Sequence, residues 1–178
     1  MTRRGVAVTA LIVLALAVPA GAQAPSPAWL RDASPLRSRV ETRHLIAEAE
    51  AVDLAGATQN QVTLRLRVTP RQGMRIYAHD VVGYTPFSVR LDPTAGVTAH
   101  RVVYPPSAAY VFPPTGETSI VYTDTVTVEY AVVLADTVRR RLRSDETATL
   151  PATLRYQACD DRLCYRPETV RIAWQAAR

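Results

Sequence analysis

The sequence predicts an all-β protein folded as an antiparallel sandwich, and three observations carry this prediction. Apolar and polar residues alternate almost without exception over 61–69, the period-two pattern of a strand with one buried face. Several other short runs share that alternation, and turn signals at 69–73, 92–96 and 104–106 separate them. The chain is 48% apolar and 21% charged, which is an ordinary globular composition.

The remaining strands follow from the same period. Alternating runs occupy 118–134, 153–157 and 169–174, and shorter strand candidates lie at 40–50, 74–78, 87–91 and 97–104. One segment is ambiguous, because Leu45, Ile46 and Ala49 within 44–52 also share one face of a helix. Many short antiparallel strands at this spacing are typical of a single sandwich domain.

The first residues have the three zones of a secretory signal peptide. A basic start precedes an uncharged apolar run, and small residues at Ala20 and Ala22 suit cleavage after Ala22. The apolar run is too short for a spanning helix, which needs ~20 residues. We therefore predict a signal peptide over 1–22, a flexible Pro-, Ser- and Ala-rich leader over 23–38, and a folded domain over 39–178 of an exported, soluble protein.

Charge and composition argue against several function classes. The formal charge of +5 comes from 21 arginines, with no lysine, against 16 acidic residues that interleave with them, so no basic stripe for nucleic acid is present. The basic run 139–143 is followed by Asp145 and Glu146, which predicts a solvated turn or strand edge or, alternatively, a patch for an acidic partner. Three scattered histidines and no phosphate-binding glycine loop lead us to expect no metal, no cofactor and no small-molecule substrate.

The two cysteines are the most informative residues. Cys159 and Cys164 are separated by four residues and flanked by strand-like runs, which is typical of a β-hairpin. Residues that face each other across a hairpin lie ~4.5–5.5 Å apart at Cα, a separation that a disulfide can span. A bridge that closes only about six residues stabilises a fold by ~2 kcal/mol, less than one that joins distant strands. Three alternatives stay open on spacing alone: a structural staple, a redox pair, and a Cu(I) site.

The cysteine segment resembles a known family. Residues 156–169 contain Tyr-Gln-Ala-Cys, four residues, then Cys-Tyr-Arg-Pro-Glu-Thr, which is similar to the N-terminal periplasmic domain of the thiol:disulfide interchange protein DsbD. Looser similarities lie at 73–77, 96–106, 111–112 and 121–122, so that the resemblance spans roughly residues 38–174. It implies an immunoglobulin-like antiparallel β-sandwich and a redox-active disulfide.

The resemblance also implies roles for individual residues. Cys164 would be the attacking thiol and Cys159 the resolving thiol, Phe112 would lie on a cap loop that shields the pair, and Tyr77 would line the site. Further site-lining candidates come from the cysteine segment itself: Arg162, Tyr165 and Pro167. Local charges compete at Cys164, since Arg162 and Arg166 favour a thiolate whereas Asp160 and Asp161 oppose it. We expect no strongly depressed thiol pKa, because no helix N-terminus is evident there.

The partners implied by the resemblance are proteins. The family domain passes reducing equivalents from a thioredoxin-like domain to periplasmic thiol proteins, among them a disulfide isomerase and components of cytochrome c maturation. Because this chain ends at Arg178, we expect a free-standing version that works with thioredoxin-like periplasmic proteins and a separate membrane electron transporter. The alternative from another class is a non-catalytic β-sandwich interaction module whose disulfide is only a hairpin clip.

Overall fold

A computed structural model describes residues 37–55, 60–145 and 147–175. Within these ranges the elements are β1 (Arg39–Glu41), β2 (Leu45–Ala49), β3 (Gln61–Pro70), β4 (Arg75–Tyr77), β5 (Ser88–Leu91), β6 (Val97–Val103), β7 (Ala108–Phe112), β8 (Glu117–Tyr122), β9 (Val126–Leu134), α1 (Asp136–Ser144), β10 (Thr149–Tyr156), β11 (Ala158–Cys159) and β12 (Glu168–Gln175). All strand pairings among them are antiparallel, so the all-β prediction is confirmed. The predicted signal peptide and leader lie outside the described residues, apart from positions 37 and 38.

The largest sheet has the strand order β1-β2-β3-β9-β6. Its central strand β3 alternates between exposed and buried side chains along its length, as the sequence predicts. Leu64 and Leu66 of β3 are fully buried, and Leu64 pairs with Tyr130 of β9. This large sheet therefore presents one apolar face, which forms one side of the core.

The other side of the core comes from a three-stranded sheet, β12-β10-β5. Leu154 of β10 and Trp174 of β12 are fully buried in the same apolar cluster as the leucines of β3. The Trp174 indole donates a hydrogen bond to the Arg65 carbonyl oxygen of β3 over 2.8 Å, which joins the two sheets. A buried indole needs such a partner, because an unpaired N–H in a dry core is destabilising.

A four-stranded sheet, β11-β4-β8-β7, completes the sandwich. Only Gln157 separates β10 from β11, so the chain passes directly from the three-stranded sheet into the four-stranded one. The Gln157 carbonyl oxygen accepts a 3.1 Å hydrogen bond from the Tyr77 backbone N–H, which keeps the two segments in line across this break. The strand β11 thereby reaches the rim of the sandwich with the first cysteine at its end.

Two local predictions and one alternative were wrong, each for a physical reason. The run 118–134 is two strands in different sheets, β8 and β9, separated by residues 123–125. The sequence did not show this break, because alternating apolar residues on both sides of it fall on even-numbered positions. The helical alternative for 44–52 fails, since β2 pairs on both edges with β1 and β3. The basic run 139–143 lies in helix α1 rather than in a turn or strand edge.

Helix α1 forms because a narrow apolar stripe sits among its arginines. Leu142 is buried and Val138, one turn earlier, packs against the main core, while Asp136 lies in the first turn and arginines in the last, which suits the helix dipole. Gly96 makes the close approach possible, because it has φ of +78° and an added Cβ would lie 2.9 Å from a Val138 methyl. Among the described residues, no helix is long and apolar enough to cross a bilayer.

We predict that Gly96→Ala destabilises the fold more than Gly73→Ala. Both glycines have a left-handed φ, +78° and +75°, so both substitutions cost about 1–2 kcal/mol of backbone strain. Only at Gly96 does the new methyl meet packed atoms, which adds roughly 1 kcal/mol or more. Urea unfolding measures the difference, and equal losses in free energy of unfolding would contradict the packing of α1 against this turn.

Candidate functional site

The four-stranded sheet has two different faces. Its inner face carries Ala158, Ile76 and Tyr122, which are paired across strands and buried in the main core. Side chains alternate along a strand, so the residues next to these project from the opposite, outer face. The outer-face residues are Cys159 of β11, Arg75 and Tyr77 of β4, Val121 of β8, and Tyr110 of β7.

The outer face has its own small apolar cluster. Tyr77, Val121 and Cys159 are its buried members, and Val81, Tyr84, Tyr110 and Cys164 pack against them. This cluster is separate from the main core, so changes in it need not disturb the sandwich.

Cys159 and Cys164 are joined in a disulfide on this face. The two residues form an isolated antiparallel bridge, and their Cα atoms lie 4.0 Å apart, closer than the expected hairpin separation. A short connection closed by the Asp160 N–H to Leu163 carbonyl hydrogen bond accounts for this closeness. Cys159 is only 4% exposed, whereas Cys164 is half-buried. The structure therefore makes the two sulfur-bearing residues unequal in access.

The connection between the cysteines is ordered by one carboxylate. Asp160 Oδ1 accepts hydrogen bonds from the backbone N–H groups of Arg162 (2.8 Å) and Leu163 (2.9 Å). Its Oδ2 accepts a 2.8 Å hydrogen bond from the Tyr165 hydroxyl. These donors, with the Leu163 and Arg162 amides contributing most, lower the pKa of Asp160 from 3.8 to about 2. Asp160 thus acts as an ionised acceptor that fixes the loop.

The second acidic residue of the loop is engaged as well. Asp161 accepts a 2.8 Å hydrogen bond from the Tyr110 hydroxyl and forms an ion pair with Arg75. The Tyr110 hydrogen bond and, next, the Arg75 guanidinium lower the pKa of the Asp161 carboxyl. The Arg75 guanidinium in turn lies 3.8 Å above the centre of the Tyr110 ring. Three elements, β4, β7 and the cysteine loop, are therefore tied together at this point.

Tyr77 lines the disulfide directly. Its hydroxyl oxygen lies 3.3 Å from Cys164 Sγ, and the hydroxyl donates because a disulfide sulfur carries no hydrogen. Burial raises the pKa of Tyr77, so the phenol stays protonated as a donor. Tyr84 stacks on Tyr77 with ring centres 4.2 Å apart, and its own hydroxyl donates to Glu117 of β8 over 2.6 Å. Tyr84 therefore covers the tyrosine that contacts the disulfide.

The Tyr-Gln pair that precedes Cys159 has a structural explanation. The Gln157 side chain accepts from the Thr85 N–H (3.2 Å) and donates to the Tyr165 carbonyl oxygen (3.1 Å). It joins the loop that carries Tyr84 to the residue after Cys164. Tyr156 is fully buried, and its hydroxyl donates to Glu168 over 2.5 Å. Both side chains hold the two ends of the cysteine loop in place.

The other predicted site residues are placed unequally around the disulfide. Tyr165 packs against the His44 ring, with ring centres 4.4 Å apart, and lies beneath the Arg43 guanidinium. Arg162 and Pro167 are exposed, and Arg162 contributes its backbone N–H to the loop. Phe112 ends β7 on the same face as Tyr110, opposite Glu117, and lies outside the cluster of the disulfide. The roles given to these residues stay predictions.

Sequence reasoning missed three residues of this face: Arg75, Tyr84 and Tyr110. Arg75 lies inside the 73–77 segment that carries the family resemblance, and its position two residues before Tyr77 places both on one face of a strand. The two-residue spacing of Arg75 and Tyr77 could therefore have identified Arg75 from the sequence. No such signal exists for Tyr84 and Tyr110, because only the pairing of distant segments brings them to the disulfide. Across the described ranges, no group of three or more His, Cys, Asp or Glu side chains is arranged to hold a metal.

Fold and site together define a β-sandwich domain with an ordered disulfide on its outer face. The chain belongs to the family described as "Thiol:disulfide interchange protein DsbD, N-terminal", whose pattern matches residues 42–176. The immunoglobulin-like sandwich and the family membership that the sequence predicts are thus confirmed.

One solved structure with a TM-score above 0.5 agrees with the fold. The N-terminal periplasmic domain of ScsB from Proteus mirabilis matches with a TM-score of 0.55 and 14% identity, covering 77% of this chain and 49% of that one. The match therefore spans about half the length of that crystallised domain. The reduced N-terminal domain of DsbD from Neisseria meningitidis matches with a TM-score of 0.42 and 15% identity over 64% of this chain and 76% of that one. No curated protein matches the chain.

We predict that the order of the cysteine loop is lost only in strong acid. A carboxylate whose pKa is depressed in the folded state stabilises above its ordinary pKa, and this contribution fades as pH falls towards about 2. The amide proton shifts of Arg162 and Leu163, followed by NMR, should therefore titrate near pH 2. Asp160→Asn keeps an acceptor oxygen and should preserve both hydrogen bonds, whereas Asp160→Ala should lose them. A pH titration of both amide shifts with its midpoint near 3.8 would contradict the hydrogen bonds to Asp160.

Proposed function

We propose that this domain exchanges electrons with other exported proteins through reversible opening of the Cys159–Cys164 disulfide. Membership of the interchange family supports the reaction class. The observation that carries the proposal for this chain is the unequal access of the two cysteines, with Cys159 buried and Cys164 half-buried on the outer face. A visiting thiol meets one sulfur, and the other stays protected as the resolving group.

The reaction is a two-step exchange. A partner thiolate attacks Cys164 Sγ, a bond forms between the two sulfurs, the Cys159–Cys164 bond breaks, and the electron pair leaves on Cys159 Sγ. A second partner thiolate then attacks the partner's own sulfur, and Cys164 is released as a thiolate. The partner dithiol is oxidised by two electrons, and the cysteine pair is reduced. The same steps in reverse reduce the disulfide of an acceptor, with Cys164 attacking and Cys159 resolving.

The local nature of the disulfide makes such opening compatible with a stable fold. The bond closes a loop with a sequence separation of five. Breaking it therefore lowers the free energy of unfolding by only ~2 kcal/mol, because so short a loop restricts the unfolded chain little. Neither cysteine belongs to the main core cluster. Asp160 and Tyr165 hold the loop ends through hydrogen bonds that do not involve sulfur. The loop can therefore keep its shape in both redox states.

The two carboxylates of the loop differ in how their charge is compensated. Asp161 is paired with the Arg75 guanidinium, which reduces the opposition expected from it, whereas Asp160 accepts only neutral N–H and O–H donors and keeps its negative charge. Arg162 and Arg166 are exposed, and solvent screens them. We retain the expectation of a thiol pKa at Cys164 that is not strongly depressed, since no described residue of the segment around the two cysteines begins a helix.

The cellular setting follows from the sequence and the family. We propose export through the signal peptide 1–22, a flexible leader over 23–38, and action in the periplasm on thioredoxin-like proteins, with electrons delivered by a separate membrane electron transporter. Acceptors would be thiol proteins such as those of cytochrome c maturation. The ScsB domain, which shares this fold, is itself described as periplasmic. The exchange uses only cysteine sulfur, and the proposal includes no cofactor, no nucleic acid and no small-molecule substrate.

Cys159→Ala, reduced and mixed with a single-cysteine thioredoxin variant whose remaining sulfur is activated as a mixed disulfide with thionitrobenzoate, should accumulate a covalent 1:1 adduct as thionitrobenzoate leaves. Its free Cys164 is accessible, and neither protein then has a second thiol that could resolve the adduct. Non-reducing gel electrophoresis and intact mass measure the adduct, and dithiothreitol should dissolve it.

Cys164→Ala is the matched control, because its remaining thiol is the buried Cys159. We expect its adduct to form at least about tenfold more slowly, since access limits exchange. No adduct with either variant would favour the alternative, a non-catalytic interaction module with a hairpin clip. Equal adduct formation would contradict the assignment of Cys164 as the attacking sulfur.

Phe112→Ala tests the proposed cap. By alternation along β7, Phe112 shares the outer face with Tyr110, and it pairs with Glu117, which accepts the Tyr84 hydroxyl hydrogen bond. If Phe112 shields the pair, its removal should speed alkylation of the reduced thiols by iodoacetamide severalfold, read by mass spectrometry. Val111→Ala is the control, because Val111 is its strand neighbour on the other face and is 57% exposed. Equal rates for wild type and Phe112→Ala would remove Phe112 from the site.

A further inference from the structure

We propose that Arg75 is the counter-charge for the thiolate that forms on Cys159 when the disulfide opens. The inference rests on the proposed exchange reaction and assigns to this chain a charged residue that acts on the buried sulfur. Four observations lead to it: strand register, a spare hydrogen-bond donor, the burial of Cys159, and the arrangement that fixes the guanidinium.

Register places Arg75 directly beside Cys159. The two residues are opposite each other in the β11–β4 pair. Directly opposed residues in an antiparallel pair project to the same face, with Cβ atoms ~4.5–5.5 Å apart. Arg75 therefore leaves its strand on the side of the sheet where the Cys159 sulfur lies, and Tyr77, two residues on, contacts the other sulfur. One short strand thus supplies a neighbour to each cysteine.

The Arg75 guanidinium has a donor to spare. Arg75 is only 8% exposed, and its NH2 group pairs with Asp161. Within the described residues its NH1 group is buried and has no hydrogen-bond partner. Buried polar groups are nearly always satisfied, and a redox or catalytic role is one explanation for an unsatisfied one. A cationic N–H group without a partner can donate a hydrogen bond to an anion that forms only at one stage of a reaction.

Cys159 generates such an anion. When a partner thiolate attacks Cys164, the electron pair of the broken bond leaves on Cys159 Sγ, which becomes a thiolate before it takes a proton from solvent. Cys159 is 4% exposed, and burial disfavours a charged thiolate. The uncompensated charge would slow bond breaking, because a sulfur that is poorly stabilised as an anion is a poor leaving group. A buried guanidinium beside it removes that penalty.

Two contacts fix the guanidinium for this task. The Tyr110 ring lies 3.8 Å beneath Arg75, and Asp161 holds NH2 from the loop. Asp161 is 69% exposed in its side chain, so it offsets the arginine's charge only from the solvent side. The balance between Arg75 and Asp161 therefore sets how much positive charge the buried sulfur experiences. Removing either partner should change that charge in opposite directions.

The test compares Arg75→Met with Asp161→Asn in the full chain. Each oxidised protein is mixed with dithiothreitol in a stopped-flow instrument, and opening of the disulfide is followed at several thiol concentrations. Arg75→Met should slow opening by at least about threefold, since an opposite charge shifts a neighbouring pKa by ~1–3 units and exchange rates follow thiol basicity. Asp161→Asn should accelerate opening. If Arg75 only braces the loop, both substitutions loosen it and both accelerate opening, which would overturn the proposal.

A second measurement keeps the proposal testable should Arg75→Met fold poorly. In a Cys164→Ser background, the Cys159 thiol is titrated by its thiolate absorbance near 240 nm, with Arg75→Lys and Asp161→Asn added separately. Asp161→Asn should lower the pKa of Cys159, and Arg75→Lys should raise it modestly, because lysine keeps the charge but loses the planar fork. An unchanged Cys159 pKa in both would overturn the inference. A wild-type disulfide that dithiothreitol cannot open at all would instead refute the proposed function.

Discussion

The site depends on the antiparallel pairing of the two-residue strand β11 with β4. This pairing sets Ala158 opposite Ile76, both in the main core, and Cys159 opposite Arg75, both on the outer face. A slip by one residue would exchange the faces and bury the cysteine in the sandwich. The short strand therefore decides that the disulfide forms at the rim, and every contact described around it follows from that placement.

The division between the two faces separates stability from reactivity. The main core joins the large sheet to the three-stranded sheet through fully buried leucines and Trp174. The outer cluster is small, and it is built from tyrosines whose hydroxyl groups reach the loop or the sulfur. Rings that combine apolar area with a polar end shield the bond and still provide hydrogen bonds. The domain can accordingly rearrange its outer face during exchange while the sandwich stays folded.

Local pattern and family resemblance together predict much of this structure. The alternation along β3, the turn signals and the four-residue spacing of Cys159 and Cys164 are local features, and each gave a correct element. Helix α1 was missed because Val138 and Leu142 are its core-facing residues among a run of arginines, and the approach of Gly96 that accommodates Val138 comes from a distant segment. The contacts of Tyr84 and Tyr110 also arise from long-range pairing, which a single sequence does not encode in any local period.

Asp160 and Asp161 show the same limit for electrostatics. The sequence presents them as two charges next to a thiol, whereas the fold turns one into a loop acceptor and pairs the other with a buried arginine. Their effect on sulfur could be judged only after β4 and β7 were placed. A charge near a reactive group in sequence is thus a weak guide to the field at that group.

The reduction potential of the Cys159–Cys164 pair, measured by equilibration with glutathione or dithiothreitol buffers, tests the central claim most directly. A bond that opens and closes during exchange should have a potential of about −200 to −270 mV, within reach of thioredoxin-like donors and acceptors. A value below about −300 mV would identify a permanent clip and contradict the account.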